Sequence, residues 1–283
     1  MKQTRLVITA FSVCVALSLP IGIVFLVNVK AIPNYTRMID TGKQILESVL
    51  GAQLQEKNYL LYHREDALDN IKDKIGNLRK LHSFYEKSRF AEKRAEFFKL
   101  ADWEEAMNLY DRLLDQFVVY HEAVEKNIAA IRDLEKSILA VIYSKMNPER
   151  GIIGLQEIRI HEKGYLIYRN YPEPPDERPF EDKRKEAVSN LLMWAHKDKR
   201  IEELMDKDNQ LFNEIINNYE SQDQTLVALK RENEKIERIG ERFLEEGKKE
   251  LYVTSRRCVF LCIILLIMWV IMAITIVATP FRR

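Results

Sequence analysis

The 283-residue chain has only three cysteines, nine glycines and eight prolines, and its 44 basic and 43 acidic residues leave it almost without net charge. Each scarcity excludes something. Cys14, Cys258 and Cys262 all lie within or beside apolar segments near the two ends, so the polar middle contains no disulfide and no thiolate metal site. Cys258 and Cys262 share one helical face, as small packing residues or as a redox pair. The charge balance argues against nucleic acid as a partner, which would need a basic footprint. Of the six prolines between Ala31 and Arg257, four crowd into Pro172 to Pro179, and elsewhere the middle is rich in Leu, Glu, Lys, Ile and Ala. Such a composition reads as helix throughout, and the fold class expected is all-α.

Signatures of catalysis are missing as well. The chain has no Gly-x-Gly-x-x-Gly, no Walker loop, no Gly-x-Ser-x-Gly, no His-Glu-x-x-His and no haem-attachment motif. No enzyme activity, cofactor or metal is expected.

What the chain does have is two long uncharged runs. Leu6 to Val29 and Val259 to Pro280 are each long enough, at about 1.5 Å per helical residue, to cross a hydrocarbon core of about 30 Å. The first is also compatible with a signal peptide, because Lys2 and Arg5 form a basic start. Its apolar run is longer than usual, however, and no clear cleavage site follows. The expected plan is a cytoplasmic start (1–5), a first span (6–29), an extracytoplasmic domain (30–257), a second span (258–280) and a short cytoplasmic tail (281–283). Lys2, Arg5, Arg282 and Arg283 favour this orientation; Lys30, Arg256 and Arg257 at the opposite boundaries weaken it without reversing it, because long translocated domains largely escape the charge rule. In a bacterium the domain would face the periplasm or the outside from the inner membrane.

Between the spans, apolar spacing places the helices. Trp103, Met107, Tyr110, Leu114, Phe117, His121, Val124, Ile128 and Ile131 alternate steps of four and three, and the line resumes through Leu134, Ile138 and Val141. This predicts one helix of about 45 residues packed in a bundle. A second line, Phe212, Ile215, Tyr219, Gln222, Leu226, Leu229, Asn233, Ile236, Gly240 and Phe243, predicts a helix running straight into the second span. Pro33 limits the start of a helix that reaches Tyr62, His63 to Asp66 reads as a turn, and Ala67 to Lys87 forms the return helix. Pro148, Gly151 and Gly154 mark a break, a helix follows to Arg169, the proline cluster interrupts it, and another helix covers Phe180 to His196.

An eight-residue motif occurs twice in this plan. Gln-Glu-Lys-Asn-Tyr-Leu-Leu-Tyr at Gln55 to Tyr62 matches His-Glu-Lys-Gly-Tyr-Leu-Ile-Tyr at His161 to Tyr168, and each copy precedes a turn and a charged amphipathic helix. The domain thus reads as two helical modules. Glu-Lys-x-Tyr-Leu at a helix end, twice, between two spans, resembles the helical bimodular sensor domain of bacterial chemoreceptors and sensor kinases. Related four-helix sensor domains of the CHASE3 type use a similar Tyr-Leu-Leu ending. The resemblance implies two stacked four-helix bundles sharing two long helices, with a small organic acid bound inside a bundle and a conformational change passed through the second span.

A buried carboxylate ligand needs basic and polar partners, which narrows the candidates. Lys57 and Gln53 lie one turn apart in the first copy; Arg159 and Lys163 do so in the second, where the planar guanidinium suits bidentate capture. For Glu56, Lys57, Arg159, Glu162 and Lys163 the alternative is an ion pair between helices or on the surface. His121, Gln222 and Asn233 interrupt apolar seams, where register-fixing hydrogen bonds and ligand contact are both open. Gly240 and Gly247 fit either close helix approach or a flexible joint. Tyr59, Tyr62, Tyr165 and Tyr168 suit helix-end packing, with an aromatic ligand cage as the alternative.

After Pro280 the chain has only Phe281, Arg282 and Arg283, where the family continues through a HAMP linker into an output module. The expectation is a truncated receptor, or a chain that pairs with a separate membrane signalling protein, in either case as a homodimer. The competing expectation is a membrane-anchored scaffold or accessory subunit that binds a protein and no small ligand.

Overall fold

In the computed structural model, residues 2–62, 65–86, 100–168 and 179–278 are described. Among them there are six helices and no strand. They are α1 (Lys2–Tyr62), α2 (Glu65–Glu86), α3 (Leu100–Tyr143), α4 (Pro148–Tyr168), α5 (Phe180–Trp194) and α6 (Lys199–Ala278). The chain is all-α.

The long helices follow the two seams. α3 has 44 residues, and Trp103, Met107, Tyr110, Leu114, Phe117 and Val124 of its seam are all buried. α6 runs for 80 residues without interruption, taking the Phe212 to Phe243 seam directly into the apolar run. α1 differs from expectation. Instead of starting near Pro33 it continues through Pro20 and Pro33 from the first apolar run. An interior proline removes one backbone hydrogen bond and costs about 3 kcal/mol, and helix on both sides of the ring outweighs that loss. The break after α3 also sits earlier than Gly151. It is a turn ending in Asn147, at a left-handed φ of 58°, after which Pro148 takes the first helical position, where its missing N–H costs nothing. Gly151 and Gly154 are interior to α4. The proline-rich stretch and the His63 turn lie outside the described residues, apart from Pro179 at the start of α5 and Glu65 and Asp66 in α2.

The chain divides into two compact units, Met1–Asp111 with Lys230–Arg283, and Arg112–Leu229, so α3 and α6 each supply residues to both. Each unit holds one motif copy.

In the first unit α1 packs on α2, and Phe243 of α6 stands edge-on to Tyr85 of α2 and Trp103 of α3 at centroid distances of 4.5 and 6.0 Å. α1 and α6 approach closely through glycine. A Cβ on Gly42 would lie 2.7 Å from the Gly240 carbonyl oxygen and 2.7 Å from the Leu244 nitrogen, so any side chain there forces the helices apart. Of the two readings open for Gly240, this is close approach.

In the second unit α4 packs on α5. One apolar cluster is built on Ile138, Ile142, Leu155, Ile158, Leu191 and Met205, and another on Val124, Ile131, Phe212 and Ile215. The variable position of the motif has a packing reason here. Gly164 replaces Asn58 of the first copy because a Cβ would lie 2.3 Å from the Phe180 ring.

Candidate functional site

Both motif glutamates turn inward, and each is the centre of a polar cluster in its own unit. In the first unit, α1 places Glu56 so that its Oε1 accepts hydrogen bonds from the Tyr110 hydroxyl of α3 and, at 3.0 Å, from the Asn233 amide of α6. Both donors are neutral, and among the described residues no cation pairs with this carboxylate. Burial therefore raises its pKa above the ordinary value, against the opposing pull of Tyr110 and Asn233. Burial, with the Glu56 charge beside it, also pushes the Tyr110 hydroxyl far up. Asn233 Oδ1 is buried without a hydrogen-bond partner among the described residues.

The second cluster replaces neutral donors with charge. Arg159 of α4 donates from Nη1 to Glu162 Oε2 at 2.5 Å and from Nη2 to Asp208 Oδ1 of α6 at 2.8 Å. Arg184 of α5 donates from Nε to Glu162 Oε1 at 2.7 Å and from Nη2 to Asp208 Oδ2 at 2.6 Å. Each of the four carboxylate oxygens thus accepts one guanidinium N–H, and the four side chains close a ring that ties α4, α5 and α6 together. Glu135 of α3 adds a looser contact, 3.5 Å from Arg159 Nε. The ring is dry, with side-chain exposure from 0% at Asp208 to 9% at Arg159. Burial opposes the Arg159 charge, but Glu162 and Asp208 together hold it above its ordinary value. Burial and the neighbouring Asp208 carboxylate raise Glu162 against the pull of both guanidinium groups.

Of the two roles open to Arg159, the structure shows the inter-helix ion pair. The carboxylates it grips are the chain's own. Lys57 and Lys163 are exposed, and Gln53 is half-buried with no side-chain hydrogen bond among the described residues. Gln222 is buried and meets the His121 ring nitrogen at 3.3 Å, which satisfies a polar break in each seam at once. Asn233 belongs to the Glu56 cluster, so of the six residues singled out from sequence Gln53, Lys57 and Asn233 lie in the first unit and Arg159, Lys163 and Gln222 in the second. Tyr59 is buried, Tyr165 packs edge-on to Phe212 at 5.6 Å, and Tyr168 stacks on Phe180 at 6.1 Å. These are helix-end packing contacts. The Tyr62 side chain lies outside the described residues.

Sequence reading missed Arg184, Asp208 and Tyr110. A signal for Asp208 was present. Ile201, Met205, Asp208 and Phe212 continue the α6 seam backward by the same steps of four and three, so a charge interrupts an apolar line there.

Beside the ring, between α5 and α6, lies a groove of about 850 Å³. Arg184 and Asn209 form a polar part of its wall; Val188, Leu192, Phe212 and Ile216 form an apolar part. Arg184 stacks on the Phe212 ring, with its guanidinium carbon 4.4 Å from the centroid, and its Nη1 donates to Asn209 Oδ1 at 2.7 Å. One end of the groove is the tight turn into α6, where His196 and Lys197 both have left-handed φ, 51° and 63°. Asp198 secures this turn by accepting the Arg200 and Ile201 backbone N–H groups and pairing with Lys145 at 2.7 Å.

Among the described residues no group of three His, Cys, Asp or Glu side chains is placed to hold a metal ion. No protein-family model, curated protein or solved structure matches the chain.

Proposed function

We propose that the chain is a membrane-anchored sensor of the chemoreceptor type. In this reading α1 and α6 cross the membrane, residues 30–257 lie on its outer side as two stacked four-helix bundles in a homodimer, and a small organic acid bound there shifts α6 relative to α1. The carrying observation is a coincidence of elements. The two helices long and apolar enough to cross a membrane, α1 and α6, are also the two that meet at Gly42 and Gly240 and share the Glu56–Asn233 bond. Each is uninterrupted from the unit core through the apolar run, so a displacement at that bond has a stiff path along both. Leu19, Ile23 and Val27 of α1, and Val259, Ile263 and Ile274 of α6, are all more than half exposed, which suits lipid and not water. A ligand produces such a shift only by binding two arrangements with different affinity. The shift passes to a membrane signalling protein as partner.

Two arms of one experiment test this reading. Lys163→Cys in the full chain, with the native cysteines replaced, is treated in intact cells with a membrane-impermeant maleimide, and thermal unfolding of the chain in nanodiscs is followed with a panel of small organic acids. The sensor reading expects labelling from outside and stabilisation by at least one acid; labelling only after lysis, or no stabilisation by any, overturns it.

A second reading, a scaffold that binds a protein partner, is favoured by one observation. Ile153, Ile160 and Ile167, seven residues apart on α4, are 55%, 62% and 63% exposed. A protein partner seated on that stripe would bury it, and a pull-down lost on changing all three to Ser, with no acid response in unfolding, would favour the scaffold.

A further inference from the structure

We infer that the groove between α5 and α6 of the 112–229 unit is a binding site for an amphipathic carboxylate, with the acid head at Arg184, Asn209 and Asn213 and an apolar body lying toward Leu192. The assignment deepens the sensor reading, on which its part in signalling rests.

Size comes first. At about 850 Å³ the groove falls within the range of small-molecule sites, roughly 300–1,000 Å³. Its chemistry is graded along α5. Arg184, Val188 and Leu192 stand one helical turn apart, and so do Lys185, Ser189 and Met193, and all six line the groove. Along this face of α5, Arg184 and Lys185 give way to Leu192 and Met193 over about 12 Å, at about 1.5 Å per residue, before the turn at His196 and Lys197 ends the groove. That gradient matches a ligand with a polar head and a body of about six to eight carbons.

The spare hydrogen-bond capacity that is held in place at the polar end consists of donors. A guanidinium has five N–H donors. Arg184 spends Nε on Glu162, one hydrogen of Nη2 on Asp208 and one of Nη1 on Asn209, leaving one donor on each terminal nitrogen. Asn209 accepts through Oδ1, and among the described residues its amide hydrogens meet no acceptor. Ser189 and Asn213 are exposed and make no side-chain hydrogen bond among the described residues. Arg184 and Asn209 thus present four donors held in place, Ser189 and Asn213 can each turn a donor the same way, and a carboxylate accepts from them through two oxygens. Lys185 and Lys197 on the wall offset Glu181 and Glu202, so the rim does not repel an anion.

The ring behind the groove gives these donors their value. Arg184 is held from one side by Glu162 and Asp208 and across its face by Phe212, so its fork is fixed before any ligand arrives. A ligand meeting fixed donors loses little affinity to ordering them. The sequence candidate Arg159 would then act through Arg184, as a positioning residue.

Octanoate is the probe, measured by equilibrium dialysis against the full chain in nanodiscs, with n-octanol and octylamine as neutral and cationic counterparts. Two variants at exposed positions test the place: Ser189→Trp fills the middle of the groove, and Asn213→Asp puts a negative charge at the head end. The comparison between chains cancels partition into lipid. The expected result is saturable binding of one octanoate per chain, absent for octylamine, weakened about two- to fourfold for each methylene removed down to butanoate, and lost in both variants at unchanged helicity. Equal binding in wild type and Ser189→Trp, or no preference for the acid over the amine, overturns the site. If octanoate does not bind while another acid stabilises the chain, the site falls and the sensor reading stands. If octanoate binds in the groove while Lys163→Cys is labelled only after lysis, the site stands and the sensor reading falls.

Discussion

Arg159 on α4 donates to Asp208 on α6 across 2.8 Å, and neither group has more than 9% of its side chain exposed. A charged hydrogen bond in so dry a place is costly to leave half made. Arg159→Ala strands Asp208 and Glu162 with one guanidinium between them, and a loss of about 3–5 kcal/mol is expected. Replacing both partners, Arg159→Met with Asp208→Leu, leaves the Arg184–Glu162 pair neutral and removes the stranded charge. The double variant is therefore expected to be more stable than either single one, as read from denaturant midpoints of the four chains. Singles that add to the double would show that the pair does not act as a unit.

Glu56 governs a pH dependence with a definite sign. Burial raises its carboxyl in the folded chain above the ordinary value of about 4.5. The folded state therefore holds this proton more tightly than the unfolded one. Stability from that preference is fully present below the unfolded pKa and is lost as pH rises through the folded pKa. Glu56→Gln keeps an acceptor for Tyr110 and Asn233 but cannot ionise, so its advantage over wild type is expected to grow from pH 4.5 to pH 7.5 in chemical denaturation. A constant difference across that range would mean that Glu56 is not held up. Gln53→Arg supplies the cation that Arg159 provides three residues before Glu162. It is expected to stabilise the chain by about 1 kcal/mol at pH 7.5 and to flatten the same dependence.

The helix contact in the first unit predicts opposite signs for one chemical change. Gly42→Ala puts a methyl 2.7 Å from the Gly240 carbonyl oxygen, where backbone and not a flexible side chain must yield. A loss of about 1–3 kcal/mol is expected. At Gly76 in α2 a Cβ meets nothing within 4 Å, and Gly76→Ala is expected to gain about 0.5–1 kcal/mol from helix propensity alone. Thermal unfolding of the two variants distinguishes them; a loss at Gly76 comparable to that at Gly42 would contradict the close approach.

Periodicity made the helices legible because it is a local property. The α3 seam from Trp103 to Val124 could be written from spacing alone, and so could the continuation of α6 past Phe243. Proline misled at Pro33, because a cost of a few kcal/mol was treated as a stop although helix-forming sequence lies on both sides. The motif glutamates stood out by repetition, but they draw partners from positions 22 and 177 residues away, Arg184 for Glu162 and Asn233 for Glu56. No local pattern brings those together. Arg159 was singled out as a carboxylate binder, and the carboxylates in its grasp are Glu162, one turn away in α4, and Asp208 of α6, which no spacing rule in α4 could supply. The groove was illegible for the same reason, since it exists only where α5 and α6 face one another.

Relative movement of α1 and α6 is what the sensor account requires above all. It is measured most directly by spin labels on Asn34→Cys and Ser255→Cys, both exposed positions, in a full chain whose Cys14, Cys258 and Cys262 are replaced, in nanodiscs, with and without saturating octanoate. The account predicts a displaced distance distribution with octanoate that is absent in the Ser189→Trp variant. An identical distribution with octanoate demonstrably bound would contradict it.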